Sequence, residues 1–328
     1  MLNYADPEVI VNTDWVADHI DDSKVRLVEV SWDISAFEAG HIPGTVAAWA
    51  YTDIHRQDER EIPSKSEIER MLSQAGIANN DTVVIYGGFG NLIAVMAFWL
   101  LKISGHSDVR LLDGGRQKWL AENRPLSTEI PFPEPTQYVA QEANTKLRAD
   151  KDLVAGAIGQ ADHILVDARP EDMYTGETNA GTAHGGHIPS AINIPATRIV
   201  DAQGEFLGWQ TPTTNSNGTF KAAEELKQLL SAKGVTPDKT IITYCLRGGL
   251  STHMWFVLTQ LLGYSNVLEY DRSWVEWGNL EGVPIEKGNR SKDVIKKHYS
   301  QLGGNELKPV TATKWTGALF RNLQSVVR

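Results

Sequence analysis

The sequence predicts an α/β protein of two tandem modules, each a parallel sheet flanked by helices. Three observations lead there. Short β-branched runs alternate with segments of helical period along most of the 328 residues, the pattern of strand–crossover–strand units. That length suits two domains, each large enough to bury a core. The chain also repeats itself. Val83-Val84-Ile85-Tyr86-Gly87 runs parallel to Ile241-Ile242-Thr243-Tyr244-Cys245, and the same offset of 158 pairs Phe98 with Phe256, Gly105 with Gly263, Asp113 with Asp271 and Trp119 with Trp277. A second pairing, at an offset of 146, matches Gly40-His41-Ile42-Pro43 with Gly186-His187-Ile188-Pro189.

The elements follow in order. In the first module, strands are expected at Val25 to Val30, Thr82 to Tyr86 and Val109 to Leu112, where apolar β-branched residues run unbroken. Helices are expected at Ser66 to Gln74, with Ser64 and Glu67 at capping-box spacing, at Leu92 to Ile103 and at Arg116 to Glu122. Pro125, Pro131, Pro133 and Pro135 then mark a stiff, extended linker. The second module offers strands at Ile164 to Asp167, Ile241 to Tyr244 and Val267 to Tyr270, and helices at Ala222 to Ala232 and Ser251 to Leu262. Gly176 to Gly186 and Asp201 to Gly218 are polar and glycine-rich, and are expected to be solvated connections. The resulting division is 1–125, a linker 126–147, 148–287, and a basic extension 288–328.

A net charge of −10 argues against nonspecific nucleic-acid binding. One cysteine excludes an intramolecular disulfide. The first residues carry no signal pattern, and no run reaches the ~18 apolar residues of a membrane helix. Together these point to a reducing cytoplasm. From Glu286 onward, nine Lys and Arg stand against three Asp and Glu. Trp315, Leu319, Leu323 and Val326 share one helical face, so this tail is expected to dock on its own acidic body or on a second copy.

The chemistry concentrates where a strand ends in Cys245-Leu246-Arg247-Gly248-Gly249-Leu250-Ser251. Gly248 and Gly249 permit the turns that aim successive N–H groups inward, forming an anion nest at the start of an amphipathic helix capped by Ser251. A thiol there is expected to have a lowered pKa and to be a thiolate at neutral pH. Cysteine phosphatases place an arginine six residues after the nucleophile, but here that position is Ser251 and the arginine is Arg247. Sulfur transfer, in which the thiolate takes a sulfane sulfur as a persulfide, fits better.

With the loop Cys245 to Leu250, Trp255-Phe256, Asp271-Arg272-Ser273-Trp274, Trp277 and Gly186-His187-Ile188-Pro189 in view, the chain resembles the rhodanese family of thiosulfate sulfurtransferases over most of its length. The resemblance implies two rhodanese-like domains, the first inactive with Gly87 in place of the cysteine, and the second catalytic, with no cofactor. It implies a donor, thiosulfate, and a thiophilic acceptor such as cyanide or a thiol. The loop residues Leu246, Arg247, Gly248, Gly249, Leu250 and Ser251 would bind substrate. Mercaptopyruvate sulfurtransferases resemble this chain too but carry serine at the third loop position, so Arg247 tips the donor toward thiosulfate. A second family arginine is replaced by Met173, so the other cation is absent or comes from Arg169, from Arg272 or from the first module. Trp32 resembles a first-module tryptophan near the family's active site. A noncatalytic sulfur-binding or partner-recognition module is the alternative from another class. His41 and His187 recur in both modules, including the one without a nucleophile, which implies a turn-stabilising role. His184 and His187 lack the further ligands of a zinc site.

Overall fold

The computed structural model describes residues 2–55 and 61–289; the basic tail assigned to 288–328 falls outside them beyond Asn289. Five strands form the first sheet: β1 (Ile10–Val11), β2 (Val25–Ser31), β3 (Thr45–Ala50), β4 (Thr82–Tyr86) and β5 (Val109–Leu112). They lie in the order β1-β5-β4-β2-β3, parallel throughout. Val83, Val84, Ile85 and Tyr86 are wholly buried, as an unbroken apolar strand must be when helices cover both sheet faces. Those helices are α1 (Thr13–His19), the short α2 (Ser35–Glu38) and α3 (Tyr51–Ile54), α4 (Lys65–Gln74), α5 (Ala94–Ile103) and α6 (Gly115–Ala121). The capping box forms as expected: Ser64 Oγ accepts the Glu67 N–H and the Glu67 carboxylate accepts the Ser64 N–H at 2.7 Å. Residues 126–144 then run without helix or strand.

The second module contributes α7 (Lys151–Ala157), β6 (His163–Asp167), α8 (Glu171–Thr175), β7 (Ile192–Asn193), β8 (Thr197–Val200), β9 (Phe206–Gln210), α9 (Ala223–Ser231), β10 (Thr240–Tyr244), α10 (Gly249–Phe256), β11 (Val267–Glu269) and α11 (Ser273–Trp277). Its parallel sheet runs β11-β10-β6-β7, with Thr243 opposite Glu269 and Tyr244 opposite Asp167. The long helix expected from Ser251 to Leu262 is α10 followed by a π-helical turn, Val257–Leu261. Both modules belong to one compact unit ending at Gly288. No helix among the described residues is long and apolar enough to cross a membrane.

Two expectations change. Helix α10 is not amphipathic: Ser251 through Leu258 are all buried, because α10 packs against α5 of the first module. The repeat-related residues Phe98 and Phe256 meet there edge to face, with centroids 4.9 Å apart, so the two copies touch through equivalent positions. Residues 201–218 are not all solvated connection either. Strand β9 lies within them and forms an antiparallel hairpin with β8. Phe206 of that hairpin packs on Phe89, with centroids 6.0 Å apart, and covers the first module's counterpart of the cysteine loop. A further tie joins the modules at Asp113, whose Oδ1 accepts the Phe220 N–H at 3.0 Å.

Candidate active site

The Cys245 loop begins where β10 ends, at the carboxyl edge of the sheet, the usual place for ligands in a parallel α/β fold. It is strapped on three sides. The Cys245 N–H donates to Ser273 Oγ at 3.0 Å, while Trp274 N–H and Val275 N–H donate to Cys245 O and Leu246 O, each at 3.0 Å. Ser273 holds this position in a left-handed conformation, φ +54°, and its hydroxyl donates to Tyr270 O at 2.8 Å. Gly248, at φ +86°, is the residue before α10; a Cβ there would stand 3.0 Å from Asp271 O, so only glycine fits without strain. From the first module, the Tyr51 hydroxyl donates to Arg247 O at 2.7 Å, and Ile93 lies against Gly249. Nothing in the sequence pattern singled out Tyr51.

Cys245 is 98% buried. The N–H groups of Arg247 and Ser251 and the Ser251 hydroxyl face its sulfur and favour the thiolate. They are outweighed. Burial first, then the charge of Glu269, push the thiol above its ordinary range, so the expected lowering of the Cys245 pKa is not found. Glu269 is the residue the sequence reading missed. It lies fully buried on β11, its carboxyl bonded to Ser251 Oγ and Thr243 Oγ1. Burial drives its own pKa well above the carboxylate range, with Asp271 adding to the rise and the two hydroxyls opposing it. An ionisable residue in the otherwise apolar run Val267 to Tyr270 was the available signal.

Ser251 is not the helix cap: Gly248 holds that place, and Ser251 sits inside the first turn with its Oγ 3.1 Å from Gly248 O. Of the loop, Cys245, Gly248, Gly249 and Ser251 are buried, Leu246 and Leu250 half-buried, and Arg247 exposed. Trp32, 45% exposed, tilts against Tyr51 at 4.9 Å and so stands one ring away from the loop. Arg272 lies beside the loop, bonded to Glu61 and, at 3.4 Å, to Glu276. Glu61 also meets Arg148, which grips the buried Asp271 with two hydrogen bonds of 3.0 and 2.9 Å.

Arg169 is not brought to the mouth. Its guanidinium is 99% buried, pairs with Asp167, donates to Gly186 O at 2.7 Å and lies over the Trp274 ring at 4.3 Å. A cation committed this fully holds the module's turn rather than facing a substrate anion. The two repeated histidines behave alike: His41 Nδ1 lies 3.1 Å from Phe37 O and its ring stacks on Phe37, while His187 Nδ1 lies 2.8 Å from Tyr174 O and its ring stacks on Tyr174. His253 is buried on α10 with Nε2 2.9 Å from Thr213 Oγ1. His55, buried behind Tyr51, is pulled down to about 4 by burial first and by Arg247 next. No cluster of His, Cys, Asp and Glu among the described residues could hold a metal ion.

In the first module the equivalent loop is closed. The Gly87 N–H donates to Asn91 Oδ1 at 2.9 Å, Asn91 Nδ2 donates to Leu112 O at 2.6 Å, and Arg116 N–H donates to Gly87 O at 2.9 Å. A Cβ at Gly87 would lie 2.3 Å from Val30 O. That loop has no room for a cysteine.

Comparison with known proteins bears on this arrangement. The family model for the Rhodanese-like domain matches twice, over residues 12–122 and 150–280. The chain is 43% identical over 297 residues to the "Sulfur carrier protein TtuD" of Thermus thermophilus, covering 88% of this chain and 99% of that one. It is 42% identical over 286 residues to a Saccharopolyspora erythraea protein named "Putative thiosulfate sulfurtransferase", covering 85% and 96%. Among solved structures, an anaerobic ergothioneine biosynthesis enzyme from Chlorobium limicola, in complex with trimethyl histidine, has a similar fold. Its TM-score is 0.75 at 23% identity, covering 86% of this chain and 71% of that one.

Proposed function

The chain belongs to the rhodanese family, with two Rhodanese-like domains in tandem, and from that premise we propose that it is a thiosulfate sulfurtransferase working through a persulfide on Cys245. The observation that carries the reading is the only cysteine, held at a strand end by backbone hydrogen bonds to Ser273 and Trp274, with the loop N–H groups and the Ser251 hydroxyl beside its sulfur. Such an array stabilises charge on sulfur without having to reorganise during the reaction.

In the first half-reaction, thiosulfate enters beside Arg247. The Cys245 thiolate attacks its outer sulfur, a new S–S bond forms, the old one breaks, and sulfite leaves with the electron pair. Arg247 and the loop N–H groups meet the sulfonate charge. In the second, cyanide or a thiolate attacks the outer persulfide sulfur and the Cys245 thiolate leaves. The first module is the non-nucleophilic partner, and its Tyr51 fixes the loop. Trp32 and Arg272 form the rim. The reading assigns thiosulfate over mercaptopyruvate because the dianion gains more from an exposed guanidinium than a singly charged donor does.

Steady-state turnover of thiosulfate with cyanide, set against 3-mercaptopyruvate with a thiol, tests the donor. A higher kcat/KM for thiosulfate supports the assignment, and a higher value for mercaptopyruvate overturns it. Persulfide formation with no turnover on any acceptor would favour a noncatalytic sulfur-binding module.

A further inference from the structure

Glu269 has no part in the scheme above, yet its carboxyl is tied to the hydroxyl of Ser251, which faces the Cys245 sulfur. A serine hydroxyl has one proton to give. Here Ser251 Oγ has two hydrogen-bond acceptors, Gly248 O and the Glu269 carboxyl, and the Cys245 sulfur on its other side. With both Cys245 and Glu269 ionised, two buried anions would compete for that one proton. With Glu269 protonated, its own O–H donates to Ser251 Oγ, and the Ser251 proton is free to meet the thiolate. Two buried acids this close keep one proton between them.

We propose that Glu269 is a positioning residue that holds the Cys245 proton: thiol and carboxyl share one proton through Ser251, and the reactive form is the thiolate with Glu269 protonated. The transfer balances. The S–H bond breaks as its proton passes to Ser251 Oγ, while the Ser251 proton passes to Glu269; no electrons change hands and no net charge moves out of the site. The proton on Glu269 then remains there while the sulfur is loaded and delivered. The groups facing Glu269 are Ser251 and Cys245 from the loop and α10, Thr243 from β10, and Asp271 after β11, which is neutralised by Arg148 from the segment before α7.

The proposal rests on Cys245 being the nucleophile, and its test needs no sulfur donor. The full-length protein is alkylated with iodoacetamide across pH and followed by intact mass, which reports Cys245 alone because no other cysteine exists. In the wild type, the rate should rise in two steps at least about one pH unit apart, since the shared proton must leave before the thiolate fraction is complete. Glu269→Gln should rise in one step. It should coincide with the wild type at the acid end and exceed it by about 2- to 10-fold between the two steps. A merely structural role for Glu269 would lower reactivity or leave the profile unchanged, and identical single-step profiles overturn the proposal.

Should Glu269→Gln fail to fold, Cys245→Ala gives the reciprocal reading: the infrared band of protonated buried carboxyl should disappear at a pH lower by about one unit or more than in the wild type. An unchanged midpoint overturns the proposal. A protein that shows both couplings but accepts no sulfur from thiosulfate would refute the donor assignment and leave the shared proton standing.

Discussion

Replacing Asp113 by asparagine tests how the two modules are joined. Asp113 belongs to the first module and is 9% exposed, and its Oδ1 accepts the Phe220 N–H of the second. Burial raises its pKa from 3.8 to about 6 against the opposing pull of that N–H and of Lys118. A carboxyl whose folded pKa lies above its unfolded value binds more protons in the folded state. Its contribution is therefore present below about pH 4 and is lost as the pH rises through 6. The shift of about two units corresponds to about 3 kcal/mol. Asparagine keeps an oxygen for the Phe220 N–H and carries no charge to desolvate. Urea unfolding followed by tryptophan fluorescence at several pH values between 4 and 7 gives the comparison. The wild type should lose about 2 kcal/mol relative to Asp113→Asn between pH 4 and 7, the rest of the effect falling below pH 4 and other groups cancelling in the difference. A gap that stays constant with pH would refute the reasoning, because it would mean that Asp113 ionises as easily in the folded protein as in the unfolded chain.

Arg148→Met removes the only cation bonded to Asp271 among the described residues and leaves that carboxyl buried and unpaired. A loss of about 3 kcal/mol in urea unfolding is expected, part of it recovered by adding Asp271→Asn. Gly87→Cys should create no second alkylatable or persulfide-forming thiol and should lower the unfolding free energy by about 1–3 kcal/mol, because its Cβ would meet Val30 O. Mass after iodoacetamide and a urea titration check both halves. Arg247→Ser should raise the apparent thiosulfate KM about tenfold, the worth of one charge-assisted contact at an exposed position. An unchanged KM in steady-state kinetics would remove Arg247 from the donor site.

What could be read from the residues follows from what kind of information each feature carries. The duplicated module was legible because its signature is local and repeated: the strand before Gly87 and the strand before Cys245 match residue for residue in type, and Phe98 and Phe256 fall at the same offset. That those two phenylalanines touch each other was not legible, since the pairing of one copy with the other is a long-range choice. The same fact overturned the amphipathic reading of α10, whose polar residues Ser251, Thr252 and His253 each find a buried partner.

The lowered thiol pKa followed soundly from a loop at a helix start, but it omitted burial and the carboxyl beneath. Glu269 reaches the cysteine only through the parallel register that sets it opposite Thr243. Arg169 looked like a free cation because its ion-pair partner, Asp167, lies only two residues away, a spacing that sequence patterns do not read as a pair.

The most direct test of the account is the intact mass of the purified protein after incubation with thiosulfate, with Cys245→Ala in parallel. The account predicts a gain of one sulfur on the wild type that cyanide removes, and no gain on the variant. A cyanide-labile sulfur of equal yield on Cys245→Ala, or no gain on the wild type, would contradict it.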